Sequence, residues 1–541
     1  MFSLTLGSFQ NSFAGVTGPI QMQRVVRPLC EMLLLSISAA LIVTLGGCSG
    51  SSSPAQKQTQ NPIGPNLTLM SSDTFAVGPG QHATEVEPHM VANGSTLVAT
   101  FQVGRMPPPG GGATDIGWAT STDGGATWQH GSLPGLTTGE GTGIFDAASD
   151  PVVAYDAKHS LWMIASLPIS NTSSTPAVVI SRSTDGLNWQ NPIAVVPNAV
   201  GSDKNWIVCD TWPNSPFYGN CYLEWDNPGD FSFPDIIQMS TSADGGLTWS
   251  NPVPTGDATS AQGIGGQPLV QPNGTVVVPI ETFGTNTYMG AFHSGDGGNT
   301  WSATSVITDL IQSHVEAAGL RSGPLPSAAV DGAGTIWVVW EDCRFRSGCL
   351  TNDLVYSTSA DGVNWGTVTR VPIDDTSSTV DHFIPGIGID PATSGAGAHV
   401  GIHFYSYSQS LCTTQTCQLN VGFISSANGG TTWNTPVAVA GPMQLTWLPQ
   451  SQNGLMVGDY IATVFANGVP HGVFAVATAP SGTTFNEGMY TGTGLSASAA
   501  GRQISSAKDR PLHRLSEPIE QEQPEKRVRP PVRRQMRRSA K

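Results

Sequence analysis

One eight-residue phrase constrains this chain more than anything else in it. Ser121-Thr-Asp123-Gly-Gly125-Ala-Thr-Trp128 returns as Ser242-Ala-Asp244-Gly-Gly246-Leu-Thr-Trp249 and Ser294-Gly-Asp296-Gly-Gly298-Asn-Thr-Trp301. A form one residue shorter appears at Ser183-Thr-Asp185-Gly-Leu-Asn-Trp189 and Ser359-Ala-Asp361-Gly-Val-Asn-Trp365. Asparagine replaces the acid in Ser426-Ala-Asn428-Gly-Gly430-Thr-Thr-Trp433, and Thr478-Ala-Pro480-Ser-Gly482-Thr-Thr-Phe485 is a degenerate seventh candidate. Counted from the acid position, the steps are 62, 59, 52, 65, 67 and 52 residues. Self-similarity at that period marks a repeat architecture.

Turn chemistry explains every position of the phrase. A short acid accepts hydrogen bonds from backbone N–H groups a few residues on, which closes a turn. The glycines supply positive φ, and the Trp lands where it can bury a large apolar face. Asp123, Asp185, Asp244, Asp296, Asp361 and Asn428 are therefore structural clamps, not catalytic or metal-binding acids.

Between the clamps each repeat has one grammar: an apolar strand, a turn, a second and a third strand, the clamp, and a closing strand often opened by Asn-Pro. Asn93-Gly94, Asn273-Gly274 and Asp331-Gly332 mark the first hairpins. Runs such as Thr335-Ile-Trp-Val-Val-Trp340 suit strands buried on both faces. Charged residues are only 11%, against 63 Gly and 40 Pro, which also fits an all-β chain with many turns.

The phrase resembles the Asp box, or BNR repeat, of sialidase-like β-propellers, and the resemblance covers roughly residues 80 to 490. It implies an all-β, seven-bladed propeller of four-stranded antiparallel blades across residues 81–490. A six-bladed ring with a C-terminal extension is the alternative, because the seventh repeat has its Asn467-Gly468 turn only 13 residues before the degenerate clamp.

Residues 1–47 form the expected export signal. Arg24 and Arg27 precede an apolar run from Met32 to Leu45, and Leu45-Gly-Gly-Cys48 follows. That ending resembles a bacterial lipobox, which implies lipid on Cys48, and residues 48–80 are the expected flexible linker. The implied address is the bacterial cell envelope (outer membrane, periplasm or cell surface), with the lipid as the membrane contact. Six further cysteines form three close couples, Cys209/Cys221, Cys343/Cys349 and Cys412/Cys417, which suggests disulfides in an oxidising compartment.

Residues 48–500 hold 9 Lys/Arg and 33 Asp/Glu, which argues against nucleic-acid binding. Residues 501–541 hold 12 Lys/Arg and 5 Asp/Glu. With the segment from 491, they make the expected disordered basic tail.

In sialidase-like propellers the boxes lie on the face away from the ligand, so the resemblance directs attention to the starts of first strands and the loops between second and third strands. Those positions hold Asp203, Trp206, Glu224, Trp225, Asp226, Glu281, Arg321, Glu341, Asp342, Arg344, Arg346, His382, Tyr405 and Tyr460. Sialidase-type glycoside hydrolysis needs three arginines for the substrate carboxylate, a Tyr nucleophile assisted by Glu, and an Asp acid. The candidates are Arg321, Arg344 and Arg346; Tyr405 or Tyr460; Glu224 or Glu281; and Asp203 or Asp226. Glu341, Asp342, Trp206, Trp225 and His382 are further candidate substrate contacts. Two departures stand against hydrolysis: the family's Phe-Arg-Ile-Pro signature is absent, and the three arginines share one repeat. A non-catalytic glycan- or protein-binding propeller, and a hydrolase or lyase of another polysaccharide, are the rival readings. No cofactor or metal is expected; Asp226, Asp230 and Asp235 are a weak calcium candidate, their spacing matching no known loop. The expected partner is an extracellular glycan or other surface ligand, and the expected state is a monomer.

Overall fold

The computed structural model describes residues 61–498, apart from 65, 76–77, 171–174, 198–201, 228–235, 258–261 and 284–286, together with the backbone of 504–505. These residues belong to the unit that runs from Thr59 to Lys541. The signal, Cys48, Asp230, Asp235 and nearly all of the basic tail lie outside the described residues. Among those described, no helix is long and apolar enough to cross a membrane, and the helical segments are three-residue 3-10 turns.

The described strands fall mainly into seven antiparallel sets. The first holds Gln81–Asn93, Thr96–Arg105, Ala113–Ser121 and Gln129–Ser132. The second holds Ala147–Asp156, Leu161–Ile169, Val179–Ser183 and Ile193–Ala194, and one pair, Ala113 with Ala148, joins these two. The third holds Asp203–Cys209, Cys221–Asn227, Ile236–Ser242 and Val253–Pro254. In the fourth, Gln262–Ile264 and Leu269–Val270 share the inner edge of Val276–Phe283, followed by Tyr288–Ser294 and Ser305–Thr308. The fifth holds Ser327–Val330, Ile336–Asp342, Asp353–Ser359 and Thr369–Arg370. The sixth holds Asp381–Ile389, Val400–Tyr407, Gln418–Ser426 and Val437–Gln444.

The seventh set is completed from the other end of the chain. Ala462–Ala466, Val469–Ala477 and Glu487–Gly492 follow one another, and Leu67–Leu69 supplies the fourth strand. Asn467 and Gly468 both take positive φ, 52° and 78°, as a two-residue hairpin between strands of right-handed twist requires. This arrangement corrects the degenerate seventh clamp. Thr478–Phe485 lies between the second and third strands, whereas the true clamps follow the third. It therefore stands at the opposite end of its sheet.

The six true clamps share one hydrogen-bond pattern. Asp123 Oδ1 accepts from Ser121 Oγ at 2.8 Å and from Thr127 N at 2.9 Å, and Gly125 N donates to Ser121 Oγ at 2.8 Å. Thr127 Oγ1 closes the turn on Asp123 Oδ2 at 2.5 Å. In the shorter form Asn188 and Asn364 take over that last bond, each donating Nδ2 to the acid at 2.7 Å. Where Asn428 replaces the acid, the bond reverses: its Nδ2 donates to Thr432 Oγ1 at 2.9 Å.

Each clamp also reaches the preceding sheet. A Cβ at Gly246 would stand 2.6 Å from Met163 Sδ, at Gly362 2.4 Å from Val277, and at Gly430 2.8 Å from Trp337. These glycines have positive φ and no room for a side chain. The clamp tryptophans fill the same seams. Trp189 joins the apolar cluster between the first and second sets, Trp249 that between the second and third, and Trp301 that between the third and fourth. Trp365 and Trp433 continue the series, and Trp128 of the first set packs in the cluster that contains Val473 and Phe474 of the seventh.

The three cysteine couples are disulfides: Cys209–Cys221, Cys343–Cys349 and Cys412–Cys417.

Asp244→Ala is expected to cost about 1–2 kcal/mol, the order of a lost turn-closing acid with its charge-assisted bonds. Asp244→Asn should retain more of that, since Asn428 already fills the role. Urea midpoints of the two variants check this; an asparagine as damaging as the alanine contradicts it.

Candidate functional site

The end of the sheets away from the clamps carries a backbone device that repeats in four sets. The first strand bulges, and the bulged residue takes positive φ: Glu87 at 59°, Asp150 at 49°, Lys204 at 47° and Ile384 at 48°. Pairing skips two residues against one at each of these places. Proline follows in three of them, as Pro88, Pro151 and Pro385, and Asn205 follows in the fourth. Bulges re-aim side chains near sites, and here they turn three charged side chains to one place.

Lys204 Nζ lies 3.2 Å from Glu87 Oε1 and 3.9 Å from Asp150 Oδ2, and it also pairs with Asp459. Asp459 is shared with Arg321, whose Nε donates to Oδ1 at 2.6 Å. Gln102 bonds Glu87, and Arg105 Nη1 donates to Gln102 Oε1 at 2.9 Å and to the Gly112 carbonyl at 2.8 Å. Both cations of the inner group hold Asp459 well below the usual carboxylate range, and the same carboxylates hold the Lys204 ammonium up against the cost of burial. Burial and the Asp150 charge push Glu87 up to about 7.

Beside this ion cluster, Lys204, Asn205, Trp206, Gln267 and Tyr460 line a small cavity, closed by Gly265, Leu325 and Pro326. The space open to a water's centre is about 10 Å³, room for about one water. Trp206 is half-buried and makes edge contacts with His89 and Tyr460, at 4.7 and 5.1 Å between ring centroids. Asn205 is buried, and neither its Oδ1 nor its Nδ2 has a partner among the described residues.

The structure disperses the expected catalytic set. Arg321 is bound to Asp459. Arg344 forks onto Asp342, with Nε–Oδ1 2.8 Å and Nη2–Oδ2 2.7 Å, and also donates Nη1 to Thr308 Oγ1 and Nη2 to the Leu310 carbonyl. Arg346 is buried on Asp353 and Asp374, both at 2.5 Å, and on the carbonyls of Asp375 and Ser378. The three arginines of the expected cradle stand in three separate internal ion clusters. The acids of this strongly acidic body lie within reach of each guanidinium and claim it first.

Both tyrosines donate to backbone carbonyls, Tyr405 to Ala475 at 2.8 Å and Tyr460 to Pro151 at 3.1 Å. Burial pushes both phenols well above their ordinary range. Trp225 and Tyr405 are buried in apolar clusters and offer no face to a ligand. Glu341 is buried and accepts from Ile384 N at 3.1 Å and Ser322 Oγ at 3.2 Å. His382 is buried near Asp374, 3.8 Å away, and burial holds it neutral below its ordinary range. Asp203 accepts from Lys204 N at 3.1 Å, and Asp226 is buried as its cross-strand partner. Glu224 is buried against Gly266 of the next sheet, and desolvation pushes its carboxyl well up. Glu281 sits at the end of its strand, pushed up to about 7 by desolvation.

Asp353, Asp374 and His382 stand at metal-ligand distances from one another. Arg346 and Arg370 already neutralise both carboxylates, with Arg370 Nη2 2.9 Å from Asp353 and 2.7 Å from Asp374. Adding a divalent cation would set it against two guanidiniums, so the group fits an ion-pair cluster and not a metal centre.

Sequence reasoning missed Glu87, Asp150 and Gln102 and did not single out Asn205. A signal existed: Glu87-Pro88, Asp150-Pro151 and Ile384-Pro385 occupy one position in their repeats.

No family model matches the chain, and no curated protein matches it. Solved structures do resemble it. A protein of unknown function from Dyadobacter fermentans DSM 18053 is 14% identical with TM-score 0.42, covering 67% of this chain and all of that one. A PL25 ulvan lyase bound to a GlcA–Rha3S unit is 11% identical with TM-score 0.43, covering 79% and 95%. The leech intramolecular trans-sialidase is 14% identical with TM-score 0.37, covering 75% and 67%. At such values the function must be sought in this chain's own side chains.

Buried neutral acids give the protein a pH signature. Burial pushes Glu85 and Glu316 up to about 8 and Glu281 and Asp381 up to about 7. The unfolded chain loses those protons near its ordinary carboxylate range, so stability falls as pH rises through the folded values. His89 and His403, held down to about 3 by burial, act oppositely, but only below about pH 6.5. The melting temperature should therefore fall from pH 6.5 to 8.5. Thermal melts at fixed ionic strength test this, and a flat or rising profile contradicts it.

Proposed function

We propose that this chain is an exported, sialidase-like Asp-box propeller that binds extracellular carbohydrate without cleaving it. In this reading the seven strand sets are the blades of a closed ring. Leu67–Leu69 closes the last blade, and the seams filled by the clamp tryptophans run from the first set through the seventh and back. Cys48 carries the lipid that holds the ring at the cell envelope, and the protein works as a monomer.

The observation that carries the non-catalytic reading is the commitment of the candidate arginines and tyrosines to internal partners. Arg321, Arg344 and Arg346 each pair with internal acids. Tyr405 and Tyr460 donate to backbone. A sialidase-type step needs a free anion cradle and a Tyr hydroxyl within reach of a Glu base. Carbohydrate is favoured as ligand by the half-buried Trp206 beside amide-bearing Asn205 and Gln267, an aromatic side chain next to hydrogen-bonding groups.

The purified protein should show no turnover of a fluorogenic glycoside panel, sialosides included, while retaining selected glycans on an array. Trp206→Ala should abolish the retention. Turnover that disappears in Tyr460→Phe would make the protein a hydrolase. Silence in both assays would remove carbohydrate from the account.

A further inference from the structure

The connection between the fourth and fifth strand sets, residues 309–326, lies at the end of the sheets away from the clamps. We infer that its middle is a pH-operated clasp, shut while Glu316 and Glu341 share a proton through Ser322 and open once both are carboxylates. The inference goes beyond the ligand reading above and holds whatever the ligand is.

Backbone bonds hold the connection at two points. Cys343 N donates to the Gln312 carbonyl at 2.5 Å, and Arg321 N donates to the Leu455 carbonyl at 2.7 Å. Between them stands a three-residue 3-10 turn, Ala317–Gly319, in which Ala318 takes φ 64°. A residue with a Cβ keeps that conformation only where its surroundings impose it. The surroundings here are side chains. Asn352 accepts from His314 N at 2.7 Å and donates Nδ2 to the His314 carbonyl at 2.7 Å and to Glu316 Oε1 at 2.9 Å. Tyr407 donates its hydroxyl to the Ala317 carbonyl at 3.3 Å. Ser322 Oγ bonds Glu316 and lies 3.2 Å from Glu341 Oε1, while Glu341 Oε2 accepts from Ile384 N at 3.1 Å.

The two contacts of Ser322 call for a proton. A hydroxyl has one hydrogen and can donate to only one of two carboxyl groups. The other is satisfied when it is protonated and donates to the hydroxyl in turn. Glu316 and Glu341 are both buried, and neither pairs with Lys or Arg among the described residues. Asp381 adds a third carboxyl: Oδ1 accepts from Asn352 N at 2.6 Å, and Oδ2 stands 3.8 Å from His314 Nε2. Burial holds that imidazole below its ordinary range, so it brings little countercharge near neutral pH. Arg346 acts on Asp381 but is itself bound to Asp353 and Asp374. Burial and the Asp381 charge push Glu316 up to about 8, and burial and the Glu316 charge push Glu341 well up.

The folded pair holds its proton where the unfolded chain would have lost it, so the network is firm below this range and weakens as pH rises through it. Above it, carboxylates face one another across a single hydroxyl with no cation between them, which buried charges do not tolerate. Glu341 is fixed on its strand and on Ile384. Glu316 sits on a segment with few backbone bonds of its own, so that segment yields first, by local opening rather than unfolding.

Hydrogen exchange of the full chain, followed by mass spectrometry at pH 6.5 and 8.5 and scaled to the intrinsic rate at each pH, tests the clasp. Peptides within 309–326 should lose protection by about tenfold across that interval, while the strand Leu161–Ile169 keeps its own. Glu316→Gln preserves the shape of the group without its charge and should hold the pH 6.5 protection at both pH values. Glu341→Gln should do the same and covers the case in which the first variant does not fold. Equal protection of 309–326 at both pH values in the unaltered protein overturns the inference. So does a loss that Leu161–Ile169 shares, or one that both glutamine variants retain. Should neither variant fold, the comparison of the two segments in the unaltered protein decides alone.

Discussion

The fold depends on a contact between a turn and its neighbour. Each clamp folds a glycine of positive φ onto the preceding sheet, at a distance no Cβ allows, and drops a tryptophan into the seam beside it. The acid holds the turn rigid by accepting backbone and hydroxyl hydrogens from three or four residues on. Local turn chemistry thus becomes a long-range instruction about where the next sheet must lie. The variants within the chain show which part of the device matters. A Thr hydroxyl, an Asn amide donor, or an Asn in place of the acid all close the ring of bonds, while the glycine facing the neighbour is kept.

A second device stands at the other end of the sheets. There, bulges rather than clamps turn side chains inward, and the charged ones meet in a cluster that draws on residues 87, 150, 204, 321 and 459. Buried ion pairs are weak evidence of stabilisation, but breaking one by removing a single partner is costly. The cluster therefore fixes how several sheets sit together.

The architecture was legible because its signals are local. Ser, Asp, Gly and Trp within eight residues state their own turn, and Asn467-Gly468 states its hairpin. The degenerate copy at Thr478–Phe485 misled because its Gly-Thr-Thr-Phe ending suits any turn before an aromatic strand; only strand order shows it at the wrong end. Disulfides between cysteines 5 to 12 residues apart were equally visible. The site was not, since its pairings are distant in sequence. Arg321 meets Asp459 across 138 residues, and Lys204 meets Glu87 across 117. Three arginines in one repeat looked like a cradle, but each found an acid nearer than any ligand. Nothing in the spacing of Trp225 or Tyr405 separated a stacking platform from a core residue.

The central claim is that the candidate arginines and tyrosines are committed to partners inside the protein. A crystal structure with a bound oligosaccharide tests it most directly. The account predicts a bound sugar with Arg321 still on Asp459 and Tyr460 still donating to the Pro151 carbonyl. A sugar carboxylate seated on Arg321, with Asp459 displaced, would contradict it.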